Sequence, residues 1–276
     1  MGGETMRQLT VGMCWLTWPN ANFVEMVELA ARFDFPTISI GPGLVQDQLA
    51  AGDTPEMLRR RLADAGVRVA YIDAIVSGLP GLAPPTPPSD PQSCFEAAAM
   101  VEAPMVNAAH YKGVPVSFDD LAEGVGALCR DAARYGLTVG LEPIPRTGFP
   151  DLRETDRLAR ACGESNCGLL FDPTHWSRAG STLADIEALE PGRIVGFQLC
   201  DITPSRPLDP AHGFFNRDLP GEGELPLWQV SEAVIANNPA LTIELEVPSM
   251  ELKAMSSEAA AARCRAAMDK WTGVAR

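Results

Sequence analysis

Short, nearly unbroken apolar runs alternate along the whole chain with segments whose apolar positions recur at helical spacing. Leu9–Trp15 predicts a first strand, and "NFVEMVELAARFD" a helix after it. Pro36–Gly41 and Val67–Ala74 predict the next two strands, with a helix at "PEMLRRRLADAG" between them. The proline-rich "LPGLAPPTPPSDP" then reads as a stiff loop over one end of the fold, before a helix near "SCFEAAAMVEA". Pro104–His110, Leu137–Pro143, Cys167–Asp172, Arg193–Asp201 and Ala240–Val247 predict five more strands. Their helices fall on "FDDLAEGVGALCRDAARYG", "DLRETDRLARACGE", "TLADIEALE", "LPLWQVSEAVIAN" and "KAMSSEAAAARCRAAMDKW".

Continuous apolar strands separated by helices are what a parallel sheet covered on both faces requires. Eight such units in 276 residues predict an α/β fold, a (β/α)8 TIM barrel forming one domain over residues 1–276. The rival, a doubly wound sheet, would carry a glycine-rich phosphate turn after its first strand, where this chain has "GMCWLTWPN". Function in a barrel sits at the C-terminal ends of the strands and in the loops that follow them.

Four successive strands carry an oxygen donor at that end: Glu142 in "GLEP", Asp172 in "LFDP", Gln198 in "GFQLCD" and Glu246 in "LEVPS". Carboxylates packed together repel one another and lose solvation, and a divalent cation relieves both penalties. An oxygen-only donor set favours Mn²⁺ or Mg²⁺, with Co²⁺ or Zn²⁺ as alternatives. Glu244 shares the parity of Glu246 one layer deeper and is the reserve ligand on strand eight. His175, placed at the start of the loop after Asp172, is a candidate to orient substrate or move a proton. Arg217 in "NRDLPGEGE" is the cation best suited to a substrate oxygen. Trp15, Trp18 and Trp176 fall near strand ends, where they could wall a pocket or simply pack the core. His110 and Lys112 after strand four are weaker candidates for substrate contact, and His212 weaker still.

Composition narrows the classes. The formal net charge of −14 leaves no basic face to neutralise phosphates, which excludes nucleic acid as a partner. Few basic residues are expected at the mouth, which argues against a phosphorylated sugar, while the tryptophans suggest a ring or a bulkier apolar group. Hydrophobic residues make up 46% of the chain, enough for a real core. Seven cysteines, none in a CxxC pair, fit reduced thiols in a cytoplasmic protein. The opening "MGGETMRQL" has no apolar signal region, and no run reaches the length of a membrane span. The expected partner is a small-molecule substrate, in a monomer or a homo-oligomer, without a membrane.

With "LEP" and Arg146 close behind it, "DPTH", "NRDLPGEGELP" and "LEVPS", the chain resembles the xylose isomerase-like TIM barrel superfamily of sugar phosphate isomerases and epimerases, near the ketose 3-epimerases. That resemblance implies a divalent metal held by Glu142, Asp172, the strand-seven residue and Glu246, with His175 and Arg217 on the substrate. Gln198 stands where the epimerases usually present His. Gln occurs there in other branches, including enzymes resembling 3-dehydroshikimate dehydratases. Those typically carry a His two residues after the strand-five Glu, where this chain has Ile144. The superfamily's endonuclease IV branch needs more His ligands and a basic face, and both are missing.

The leading reading is a metal-dependent isomerase or epimerase of a hydroxy-carbonyl compound, either sugar-like or a cyclic polyol. Glu142 and Glu246 would exchange the proton next to the carbonyl. A dehydratase or other β-eliminating lyase shares the first step, and a barrel that binds without turnover is the reading from another class.

Overall fold

The computed structural model describes residues 9–206 and 210–273. Eight parallel strands close into a barrel in chain order, the last pairing with the first. They are β1 Gly12–Cys14, β2 Thr37–Ile40, β3 Arg68–Ile75, β4 Met105–Ala108, β5 Thr138–Leu141, β6 Cys167–Phe171, β7 Ile194–Leu199 and β8 Thr242–Leu245. This is the (β/α)8 barrel the alternation predicts. Most strands are shorter than the apolar runs that announce them.

The helices wrap the outside: α1 Phe23–Arg32, α2 Pro42–Ala50, α3 Pro55–Ala65, α4 Pro91–Val101, α5 Phe118–Ala133, α6 Leu152–Ala161, α7 Pro173–Arg178, α8 Leu183–Glu187, α9 Leu227–Asn237, α10 Met250–Lys253 and α11 Ser257–Thr272. Helix α1 buries Phe23, Met26, Val27 and Ala30, the i, i+3, i+4, i+7 stripe that faces a barrel wall. Each large side chain so buried contributes about 1.5–3 kcal/mol. Side chains of Asn22, Thr54, Asp90, Ser117, Asp151 and Ser256 cap helix N-termini by accepting otherwise unpaired backbone N–H groups.

Three elements depart from the sequence reading. Helix α2 follows β2 directly, and its weak apolar periodicity hid it. The segment holding His175 is not loop but helix α7. The last helical pattern is two helices, α10 ending at Lys253 and α11 starting at Ser257. The proline-rich loop does not cover the mouth. It packs outside, with Pro80 against Gly124 of α5 and Pro88 over Gly43 of α2.

Strand side chains alternate, so every second residue points into the barrel. The lower interior layer is tightly filled. A Cβ on Gly196 would lie 2.6 Å from Leu170 and 3.0 Å from Met105, so those two side chains occupy the space the glycine leaves. Tyr71 and Ala70 join them in a small core separate from the large one between helices and barrel. Glu244 belongs to this layer, where Thr37 Oγ1 donates to its Oε1 at 2.6 Å. The next inward layer, at the C-terminal ends, is polar on every strand: Cys14, Ser39, Asp73, Asn107, Glu142, Asp172, Gln198 and Glu246, all buried. No helix among the described residues is long and apolar enough to cross a membrane.

Candidate active site

The change from a largely apolar layer to one polar on every strand, two residues further along, creates the site. Asn107 Nδ2 donates to Asp73 Oδ1 at 2.7 Å and to Glu142 Oε2 at 2.8 Å, tying strands three, four and five together. Trp15 Nε1 holds the other Asp73 oxygen at 3.0 Å. Glu142 Oε1 lies 3.3 Å from His175 Nε2, which is also 3.8 Å from Asp172 Oδ2.

Asp172 explains why an apolar strand ends on an acid followed by Pro and His. Its Oδ1 caps α7, accepting from Thr174 N at 2.6 Å and His175 N at 3.3 Å, with Pro173 at the first helical position. Its Oδ2 faces the mouth, 2.7 Å from Arg217 Nη2. One carboxylate therefore fixes the helix that carries the imidazole and takes part in the site itself.

Arg217 reaches the mouth because the long loop after β7 folds back on Asp201. That carboxylate accepts backbone N–H groups from Ile202 at 2.8 Å and from Gly221 and Leu225 at 3.2 Å each, while Asp201 and Asp218 bridge through their backbones. Arg217 N donates to Pro248 O at 3.1 Å. Its guanidinium lies buried between Asp172 and Glu246, with Nη1 3.0 Å from Glu246 Oε1.

Charge balance follows from these neighbours. Burial pushes the Asp172 carboxyl up, but Arg217, His175 and the capping N–H groups outweigh it and hold it below the usual range. Burial raises Glu246 well above a normal glutamate against the pull of Arg217, and the nearby carboxylates add to the rise. Burial, then the charge of Glu142, lifts Asp73 to about 6, opposed by its Asn107 and Trp15 donors.

The four strand-end donors of the sequence reading, Glu142, Asp172, Gln198 and Glu246, all enter this ring. The ligand atoms of Glu142, Asp172 and His175 lie within 4.8 Å of one another, as do those of Cys14, Asp73 and Glu246, spacing that a cation could bridge. Gln198 Oε1 and Glu246 Oε2 are buried and accept no hydrogen bond. Three carboxylates of the donor set face the single guanidinium of Arg217. Both facts fit a divalent cation bound by the donor set.

The other candidates scatter. Trp15 is at the ring, whereas Trp18 packs on Phe35 in the core and Trp176 packs on Phe171, its Nε1 donating to Thr182 O. His110 is a strut below the mouth: Nδ1 accepts from Gly148 N at 3.2 Å, which makes Nε2 the donor to Pro80 O at 2.8 Å. Lys112 and His212 line the cleft above. Asp73, Asn107, Cys14 and Ser39 were not read from sequence, although Asp73 and Asn107 are polar residues inside apolar strand runs. Lys112 and Arg146, singled out from the sequence, line the cleft beside Arg217, and Arg178 and Arg206, which were not, join them, against the expectation of few basic residues.

Residues 25–271 match the family model described as xylose isomerase-like TIM barrel. No curated protein sequence matches the chain. Among solved structures, the IolI protein with a bound zinc atom superposes with a TM-score of 0.80 at 15% identity, over 96% of this chain and 98% of that one. The probable 3-DHS dehydratase AsbF of Bacillus anthracis gives 0.71 at 16% identity, over 97% and 100%. D-psicose 3-epimerase, solved in the presence of D-fructose, gives 0.69 at 14% identity, over 96% and 99%. At these identities the likeness speaks to the fold.

Proposed function

The chain belongs to the xylose isomerase-like TIM barrel family, and from that membership we propose that it is a divalent-metal-dependent isomerase or epimerase that removes the proton beside the carbonyl of a hydroxy-carbonyl substrate. The observation that carries this reading is the pair of buried, unpartnered acceptors, Gln198 Oε1 and Glu246 Oε2, in a ring of carboxylates. A buried acceptor left without a donor costs about 1–3 kcal/mol, more when charged. Glu142, Asp172, Gln198 and Glu246 would hold the metal, and their oxygen-only character favours Mn²⁺ or Mg²⁺. The cation would polarise a carbonyl oxygen and so ease loss of the neighbouring proton.

The chain's own groups do the rest. Asn107 fixes one oxygen of Glu142 and leaves the other facing His175, an arrangement suited to a base of set direction. Glu246, on a strand three places further round the barrel, would return the proton to the opposite face or the adjacent atom. His175 Nε2 is placed to hold a substrate hydroxyl, and Arg217 to bind a substrate oxygen. Trp15, whose Nε1 holds Asp73, would wall the ring on that side.

Incubation with 2-keto and 3-keto polyols in D₂O tests the proposal. Deuterium should enter the carbon beside the carbonyl, and Glu142→Gln and Glu246→Gln should each slow this by roughly 10² or more. Full exchange in both variants with metal still bound would remove the two glutamates from the mechanism. Exchange accompanied by loss of water would instead assign the β-eliminating reading, which Gln198 in place of the epimerases' His favours.

A further inference from the structure

All seven cysteines are buried, and three of them meet at the far end of the barrel from the ring. Cys129 lies near the end of α5, Cys162 directly follows α6, and Cys167 opens β6. Asp172 of the ring follows the last residue of that same strand, about 16 Å further along it. The three sulfurs fall within 4.8 Å of one another. A single reduced cysteine packs as a small hydrophobe and needs no other account. Three thiols from three successive elements, gathered at one point, make a donor set.

The surroundings hold that set together. Asn166 Nδ2 donates to Cys129 O and to Leu137 O, both at 2.9 Å, which ties α5 to the segment entering β6. A Cβ on Gly126 would lie 2.9 Å from Cys162 O, so this glycine lets α5 come up against the end of α6. Hydrogen bonds with the Cys129 and Cys167 thiols hold Cys162 below the usual thiol range, against burial. The backbone of Glu164 adds to this, as does the charge of Arg193, itself paired with Asp156 at 2.9 Å and Glu190 at 3.7 Å. Thiolate, the form that binds metal, is therefore favoured at Cys162.

Three sulfurs each about 2.3 Å from one ion, in a trigonal array, lie about 4 Å apart. The thiols would need to close by less than about 1 Å to share it. Among the described residues no His, Asp or Glu joins them at that spacing. Structural Zn²⁺ almost always takes four ligands, whereas Cu⁺ prefers soft sulfur and is satisfied by three. Hard Mn²⁺ and Mg²⁺ belong with the oxygen donors of the ring.

We propose that Cys129, Cys162 and Cys167 form a buried thiolate site for a single Cu⁺ ion, separate from the ring. Each thiol would release its proton to solvent as it binds. The ion would join α5, α6 and β6, and because the site exists only in the folded chain, binding should raise Tm.

The test is anaerobic titration of the full-length protein with Cu⁺ supplied as its coloured bicinchoninate complex. The proteins compared are wild type, Cys162→Ser, Cys129→Ala and Cys14→Ala. Serine suits position 162 because its hydroxyl can take over the thiol's hydrogen bond to Ala159 O, 3.2 Å away. Wild type and Cys14→Ala should each withdraw one Cu⁺ per chain. Cys162→Ser and Cys129→Ala should bind it at least roughly tenfold more weakly, since disturbing a group that merely supports a ligand already costs about 10–100-fold. X-ray absorption at the copper edge of the loaded wild type should show three sulfur neighbours. Copper held by two sulfurs, or by nitrogen and oxygen, would overturn the proposal. So would no binding, unchanged binding in both variants, or loss in Cys14→Ala. The absorption spectrum is read on the wild type, so it decides the matter even where a variant fails to fold.

Discussion

Gln198 replaces a soft nitrogen donor with a neutral amide oxygen at the one ring position where the resemblance to the epimerases breaks. Its oxygen is buried and unpartnered, so it should act on the metal directly. Gln198→His should tighten Zn²⁺ or Co²⁺ relative to Mg²⁺ in competitive titration; unchanged preference would place Gln198 outside the metal's contacts. Glu244, one layer down, makes a different prediction. Burial raises it from the usual 4.5 to about 8, opposed by the hydrogen bond from Thr37 and by the charge of Arg68. Between those values the folded chain holds a proton that the unfolded chain has released. Stability therefore falls as pH rises through that window and levels off above it. Glu244→Gln keeps a group that can accept from Thr37 and removes the titration. Urea unfolding at about pH 5 and about pH 9 should show the wild type losing more stability than the variant. Equal losses would mean that Glu244 is already ionised in the fold.

At the level of elements, α7 is where structure and chemistry share a residue. Asp172→Asn keeps an oxygen able to cap Thr174 and His175 but loses the charge facing Arg217. Asp172→Ala loses both. The alanine variant should therefore be less stable than the asparagine variant by about 1 kcal/mol in denaturant melts, while both lose activity. Equal stability would mean that the cap contributes nothing. The strands were legible because burial on both faces leaves an unmistakable apolar run. The acids at the ends of strands five, six and eight were legible because the run stops on them. Asp73 and Asn107 escaped for the converse reason: Ala74–Ile75 and Ala108 continue the strand beyond them, so each reads as an interruption and not an end. Helix α7, six residues long and opened by a proline, is too short for periodicity to show.

For the molecule as a whole, a metal that binds only the folded barrel adds stability by mass action, about 2.7 kcal/mol at a hundredfold excess over Kd. Chelator should lower Tm, Mn²⁺ should restore it, and Asp172→Ala should show neither response. Lys112 and Arg146 stood out in the chain, but that they share one cleft with Arg178 could not be read there, because the three stand on segments following three different strands. Only closure of the barrel brings them to one cleft. The same closure lets His110 join its neighbours: from its place after β4, its ring binds backbone after β3 and after β5. A Cβ on Gly113 would lie 2.0 Å from that ring, and one on Gly148 would lie 3.1 Å away. For anyone redesigning specificity, these three loops form one transplantable cassette, to be exchanged with the imidazole and its glycines together. The residues around Arg217, fastened to their own Asp201, form a second unit that can be grafted separately.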